Sequence, residues 1–199
     1  HSFKGVPVLV TGAGRGIGKR LAIGFASHGA RVGLLARSKP ELDLCHLEIE
    51  HGGGTALRLR ADVADYEQVA ASVERMQVHF SAPIQVLVCA AGLQGAIGPF
   101  AESNPKNWSE VLQTNLIGVM NACRVVLPGM IRRRKGKVII LIAGAGSQAR
   151  PNFAAYAASK SGVVSFVESV AEEIRDHNVQ INCMVPGASY THMTDQVLA

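Results

Sequence analysis

Apolar, β-branched runs recur along the chain at residues 6–11, 31–36, 55–61, 84–90, 137–142 and 179–185. Each is short and bounded by Gly, Asp, Pro or a charged residue, the pattern of strands buried on both faces of a parallel sheet. Between them lie segments of helical length at 16–28, 40–51, 66–80, 105–134 and 155–177. Regular alternation of strand and helix predicts an α/β fold, a doubly wound parallel sheet with helices on both faces and right-handed crossovers.

Several boundaries have local causes. Pro7 is tolerable because it stands near the start of the first strand, away from the interior that needs every ladder donor. Asn104 and Pro105 supply an N-cap and an N1 proline for the long fourth helix, and Pro128-Gly129 is expected to bend it near its end. Val163, Phe166, Val167, Val170 and Ile174 form one stripe on the last helix, which reads as core or subunit interface rather than a ligand box. No repeat or low-complexity linker divides the chain, so residues 1–199 are expected to form a single domain.

Composition narrows the possibilities. With 199 residues, 48% apolar and 18% charged, the chain can bury a sizeable core. The net charge of +5 raises nucleic acid as a partner, but the one basic cluster, Arg132-Arg133-Arg134-Lys135 with Lys137, falls where a helix ends and cations complement its dipole. No aromatic interleaving accompanies it, so no nucleic-acid partner is expected. Cys45, Cys89, Cys123 and Cys183 make no Cys-x-x-Cys and read as free thiols of a reducing compartment. The seven histidines have no ligand spacing, so no metal is expected. No apolar run reaches membrane-spanning length and no signal-peptide pattern precedes the first strand, so the expectation is a soluble cytoplasmic protein.

Two segments carry chemistry. Tyr156 and Lys160 stand four residues apart at the head of the last helix, a spacing that stacks a phenol and an ammonium on one face as an acid/base device. Near the N-terminus, Thr11-Gly12-Ala13-Gly14-Arg15-Gly16-Ile17-Gly18 joins the first strand to the first helix. This is not a literal G-x-G-x-x-G, since Ile17 occupies the place of the last glycine. Gly12, Gly16 and Gly18 still let backbone N–H groups approach a pyrophosphate whose charge the helix dipole favours. A merely tight strand-to-helix turn is the plainer alternative.

An acid that grips a ribose 2′-hydroxyl belongs about twenty residues further on, at the end of the second strand. Ala36-Arg37 stands there instead, with Arg15 inside the glycine turn. An unopposed pair of guanidinium groups suits a 2′-phosphate better than a neutral hydroxyl, so NADP is the expected cofactor.

The set Thr11-Gly12-(x)3-Gly16-Ile17-Gly18, Asp62-Val63, Cys89-Ala90-Ala91-Gly92, Asn115, Tyr156-(x)3-Lys160 and Pro186-Gly187-(x)3-Thr191 resembles the short-chain dehydrogenase/reductase family. The resemblance covers essentially the whole chain in the family's order, and implies a Rossmann fold. It further implies that Asp62 and the backbone at Val63 hold the adenine, and that residues 89–92, with Ala91 and Gly92, line the nucleotide cleft. Pro186, Gly187 and Thr191 would seat the nicotinamide. Lys160 would bond the nicotinamide ribose and lower the phenol pKa, Asn115 would support a water leading to Lys160, and Tyr156 would pass a proton to or from the substrate oxygen. An unperturbed phenol near pKa ~10 is a poor base at neutral pH and needs a neighbouring cation. The family's dimer faces map onto residues 105–134 and the helix from Ala155, so a homodimer or homotetramer is implied.

The chain departs from that pattern in three places. Cys89-Ala90-Ala91-Gly92 replaces the common Asn-Asn-Ala-Gly, with loss of amide bonds between strands. Ala143 occupies the place of the catalytic serine, thirteen residues before Tyr156. Loss of such a donor typically costs about 10²–10³ in rate. Ser147 is the nearest hydroxyl in sequence and reads first as a turn residue. Family members continue past this chain's end with a substrate loop, a further helix and a seventh strand, so the substrate-selecting wall is expected outside it.

The leading expectation is an NADP-dependent oxidoreductase interconverting a small-molecule carbonyl and a secondary alcohol. The alternative, motivated by Ala143, is a catalytically weakened NADP-binding sensor or assembly subunit. A Rossmann-like methyltransferase shares only the glycine turn and leaves Tyr156 and Lys160 unexplained.

Overall fold

The computed structural model describes residues 3–142 and 150–186. Six strands, β1 (Pro7–Thr11), β2 (Arg31–Ala36), β3 (Thr55–Arg60), β4 (Val86–Cys89), β5 (Gly136–Leu141) and β6 (Val179–Met184), form one sheet in the order β3-β2-β1-β4-β5-β6. Every pairing is parallel. The strand order reverses between β1 and β4, and a crevice outside the carboxyl ends at such a reversal is where open α/β sheets bind ligands. Register brings Thr11 opposite both Leu35 and Cys89, and Cys89 opposite Ile140, so the chemistry-bearing strand ends share one edge of the sheet.

Helices α1 (Gly16–Ser27), α2 (Lys39–His51), α3 (Tyr66–Phe80), α4 (Pro105–Leu112), α5 (Gly118–Arg133) and α6 (Ala154–Ile174) cover the two faces. Strand periodicity divides the core between them. Val8, Val10, Val32 and Leu34 pack with Ala22 and Leu42 on one side, and Leu9, Leu35, Leu87 and Ile140 with Met76, Val126 and Val163 on the other. The last-helix stripe belongs to the second core: Val163, Val167 and Ile174 are buried in it, with Phe166 and Val170 packed against it. Caps mark the helix starts: Ser38 Oγ accepts from Glu41 N, Asp65 from Gln68 N and Asn104 from Lys106 N.

The long fourth helix differs from expectation. It is not one α-helix: α4 and α5 are separated by a π turn at Gln113–Ile117, and α5 runs through Pro128-Gly129 without a break. Contrary to expectation, the run Pro105–Arg133 is long and apolar enough, by length and mean hydropathy alone, to cross a membrane. Here half of its most apolar window is buried inside the fold, with Ala122, Cys123 and Met130 in the core. The basic cluster lies at the α5 terminus: Arg133 donates to the Ile84 carbonyl, Arg134 to the Asp176 carbonyl and Lys137 to Gln180 Oε1.

Thr11 fastens β1 to the end of β4. Its Oγ1 accepts from Ala90 N at 3.2 Å and Ala91 N at 3.3 Å. Thr11→Val keeps the shape but leaves Ala91 N without this acceptor. It is expected to lower unfolding free energy by about 1–3 kcal/mol in urea titration.

Candidate active site

Backbone proximity explains the glycines of the first turn. Gly12 has φ +67°, and a Cβ there would lie 2.6 Å from Ala91 N. A Cβ at Gly18 would collide with the Gly12 carbonyl, and Gly16 has φ +56°. Only glycine lets β1, the end of β4 and the head of α1 approach so closely. Arg15 occupies the N-cap of α1 without a side-chain cap bond, and no acid stands in the first turn. The terminus therefore presents N–H groups and positive dipole to an anion, with Ile17 half-buried in its first turn. These features fit the pyrophosphate of a dinucleotide.

Tyr156 and Lys160 are both buried on the first turns of α6, at 7% and 6% exposure. The Lys160 ammonium lies 5.7 Å from the Tyr156 ring centre and donates to the Leu141 carbonyl at the end of β5 at 3.1 Å. A Cβ at Gly92 would be 3.8 Å from Lys160 Nζ and 3.4 Å from Asn115 Oδ1, so the segment after β4 passes close to the Lys160 ammonium. Asn115 is fully buried within the π turn. Its Oδ1 accepts from Leu93 N at 2.7 Å, and its Nδ2 donates to the Leu93 carbonyl and to Ser159 Oγ. Ser159 Oγ in turn donates to the Tyr156 carbonyl at 2.7 Å. With its carboxamide engaged in these bonds, Asn115 acts here as a clamp between the post-β4 segment and α6.

Electrostatics separate the two groups. Burial pulls the Lys160 ammonium down to about 8, a shift partly offset by the nearby thiols of Cys89 and Cys183. Burial pushes the Tyr156 phenol above 10, and the opposing cation is Arg150. Burial, rather than the expected lowering by Lys160, sets the direction of the phenol's shift. Cys89 is itself pushed well up, first by its hydrogen bond with Cys123 and then by burial, so it is an inert neighbour.

The two guanidinium groups are not unopposed, contrary to the sequence reading. Arg15 lies 3.4 Å from Glu41 and Arg37 lies 3.6 Å from Asp62. Asp62 also accepts from Ala64 N, while Asn121 donates to the Val63 and Ala64 carbonyls, shaping the end of β3. Val63 is buried against Gly118, where a Cβ would approach its Cγ2 to 2.6 Å. Pro186 closes the described residues just beyond β6. Ala143, Ser147, Gly187 and Thr191 lie outside the described residues.

Sequence reasoning missed two partners of these residues and one buried amide. Ser159 lies inside the Tyr156–Lys160 interval, and Glu41 completes a Ser38-x-x-Glu41 spacing that signals only a helix start. Gln94 carries no motif; it is 6% exposed and its Nε2 has no partner among the described residues.

The family model described as short chain dehydrogenase matches residues 7–199. The chain belongs to the short-chain dehydrogenase family. Gluconate 5-dehydrogenase of Gluconobacter oxydans (strain 621H) is 34% identical over 198 residues, covering 100% of this chain and 77% of that relative. A metagenomic short-chain oxidoreductase in complex with NADP superposes with TM-score 0.89 at 33% identity, covering 95% of this chain and 85% of the other. A 3-oxoacyl-[acyl-carrier protein] reductase with bound NAD from Brucella melitensis gives TM-score 0.89 at 29% identity, covering 98% and 76%. Short-chain dehydrogenases are oxidoreductases that act on small molecules with a nicotinamide cofactor.

The buried amine makes a pH prediction. Below pH about 8 both folded and unfolded Lys160 are protonated; between about 8 and about 10.5 only the unfolded chain keeps the proton, so this group's contribution to stability rises with pH. Relative to Lys160→Met, the wild type is expected to gain roughly 2–4 kcal/mol of unfolding free energy from pH ~7.5 to ~10.5. Paired urea titrations measure it, and a flat difference contradicts the burial argument.

Proposed function

We propose that this short-chain dehydrogenase is an NADP-dependent oxidoreductase interconverting a carbonyl and a secondary alcohol. The observation that carries the reading is the buried pairing of Tyr156 and Lys160 on one face of α6, with Gly92 close to the Lys160 ammonium. Gly12, Gly16, Ile17 and Gly18 would hold the pyrophosphate, Asp62 and Val63 the adenine, and Ala91 and Gly92 the floor of the cleft. Pro186, Gly187 and Thr191 would hold the nicotinamide end. Arg15 and Arg37 would take the 2′-phosphate, each exchanging a carboxylate partner for it. NADP, when bound, supplies or accepts the hydride.

Tyr156 transfers the proton at its phenolic oxygen. Burial keeps that phenol protonated at neutral pH, the state required to donate to a carbonyl oxygen, which favours reduction. Lys160 holds positive charge beside the phenol, and Asn115 fixes the segment that carries both. The homologue holding NADP supports the cofactor preference, while the homologue holding NAD marks how closely the two choices lie. Assembly into a dimer or tetramer through α4, α5 and α6 belongs to the same proposal.

Ala143 favours a second reading, a weakened NADP-binding sensor or assembly subunit. NADPH consumption over a broad panel of ketones and aldehydes tests the first. Turnover is expected to fall about 10²–10⁴-fold in Tyr156→Phe, and unchanged turnover refutes the assigned role. Ala143→Ser is expected to raise turnover by about 10²–10³ if the site is a slow enzyme. No gain, with NADP binding intact, favours the sensor.

A further inference from the structure

Glu41 stands beside the glycine turn and the end of β2, yet neither the glycine motif nor the acid expected at the end of β2 accounts for it. It is in the first turn of α2, its own N–H given to Ser38 Oγ and its side chain turned back to the glycine segment. Oε1 lies 3.4 Å from Arg15 NH1. A Cβ at Gly14 would fall 2.9 Å from Glu41 Cβ, 3.1 Å from Oε2 and 3.7 Å from the Ala36 side chain, so carboxylate, turn and β2 terminus meet at one point. Arg37 follows Ala36 and is held by Asp62 on its other side.

We infer that Glu41 sets the discrimination between NADP and NAD, an inference that rests on the dinucleotide site proposed above. A 2′-phosphate carries close to two negative charges at neutral pH and must take Arg15 from Glu41. The displaced carboxylate remains anchored to α2 within a few ångströms of the phosphate. Repulsion of a dianion by a carboxylate about 6 Å away in water-like dielectric weakens binding about tenfold. A ribose 2′-hydroxyl meets no such opposition, because it can donate to the same carboxylate. Side-chain exposures of 56% for Arg15 and 34% for Glu41 leave both free to exchange partners. Glu41 thus holds NADP preference below what two arginines alone would give, and keeps the site open to NAD.

Calorimetric titration of wild type and Glu41→Gln with NADPH, NADH, 2′,5′-ADP and 5′-AMP tests this without any turnover. Removal of the charge is expected to tighten NADPH and 2′,5′-ADP about tenfold while NADH and 5′-AMP change by less than about threefold. An unchanged NADPH-to-NADH ratio overturns the inference. So does a parallel shift of all four ligands, which is the signature of Glu41 acting only as a first-turn residue of α2. A wild type that prefers NADH refutes the NADP preference proposed above, while the Glu41 inference still stands or falls on the change in ratio. A wild type that binds none of the four refutes both.

Discussion

The site depends on a carboxamide that never needs to touch a ligand. Asn115 joins the segment after β4 to the head of α6 through Leu93 and Ser159, and Ser159 holds the backbone of Tyr156 itself. Asn115, Ser159 and Tyr156 are buried, where each bond is electrostatically stronger than in water and each lost partner is costly. The π turn is part of the same device. It lies against α6 closely enough that a Cβ at Gly162 would come within 3.1 Å of Leu116, so the departure from α geometry and the close helix contact occur together. Tyr156 and Lys160 inherit their positions from this junction rather than from α6 alone.

At the other end of the crevice the constraint is charge. The glycine turn brings dipole and N–H groups to a point, and the Arg15 and Arg37 side chains add cationic ones nearby. Each arginine already faces a carboxylate, so the surroundings are balanced rather than strongly positive. A phosphorylated ligand would enter such a site by exchange of partners, and its selectivity would be a difference between two ion-pair arrangements. The chain's net charge of +5 says little about this, because the basic run is at the end of α5, where Arg133 and Arg134 donate to the Ile84 and Asp176 carbonyls.

The strands and the glycine turn were legible because their causes are local: apolar runs for a sheet buried on both faces, and missing side chains where backbones touch. The caps at Ser38, Asp65 and Asn104 are local in the same sense. The π turn was not legible, since Gln113–Ile117 contains neither Gly nor Pro and its partners Leu93, Ser159 and Gly162 are remote in sequence. Nor was the pairing of Arg15 with Glu41, which lie 26 residues apart and meet only because α2 turns back over the first βα turn. Proximity of Tyr156 to Lys160 follows from helical spacing, but their ionisation does not. It depends on burial against Leu141 and beside Cys89 and Cys183, residues from β4, β5 and β6.

That ionisation bears on direction. A phenol raised above 10 and an amine lowered to about 8 are displaced in opposite senses by one cause, the removal of water from charged forms. Near neutral pH the pair rests as neutral phenol beside ammonium, the combination that can deliver a proton without first capturing one. Removal of a proton from an alcohol needs the phenolate, which burial disfavours unless a neighbouring positive charge offsets it. Oxidation therefore demands a charge rearrangement that reduction does not. Ala143 would sharpen the asymmetry in the proposed reaction, because a developing alkoxide would then rely on Tyr156 for its stabilisation as well as for its proton.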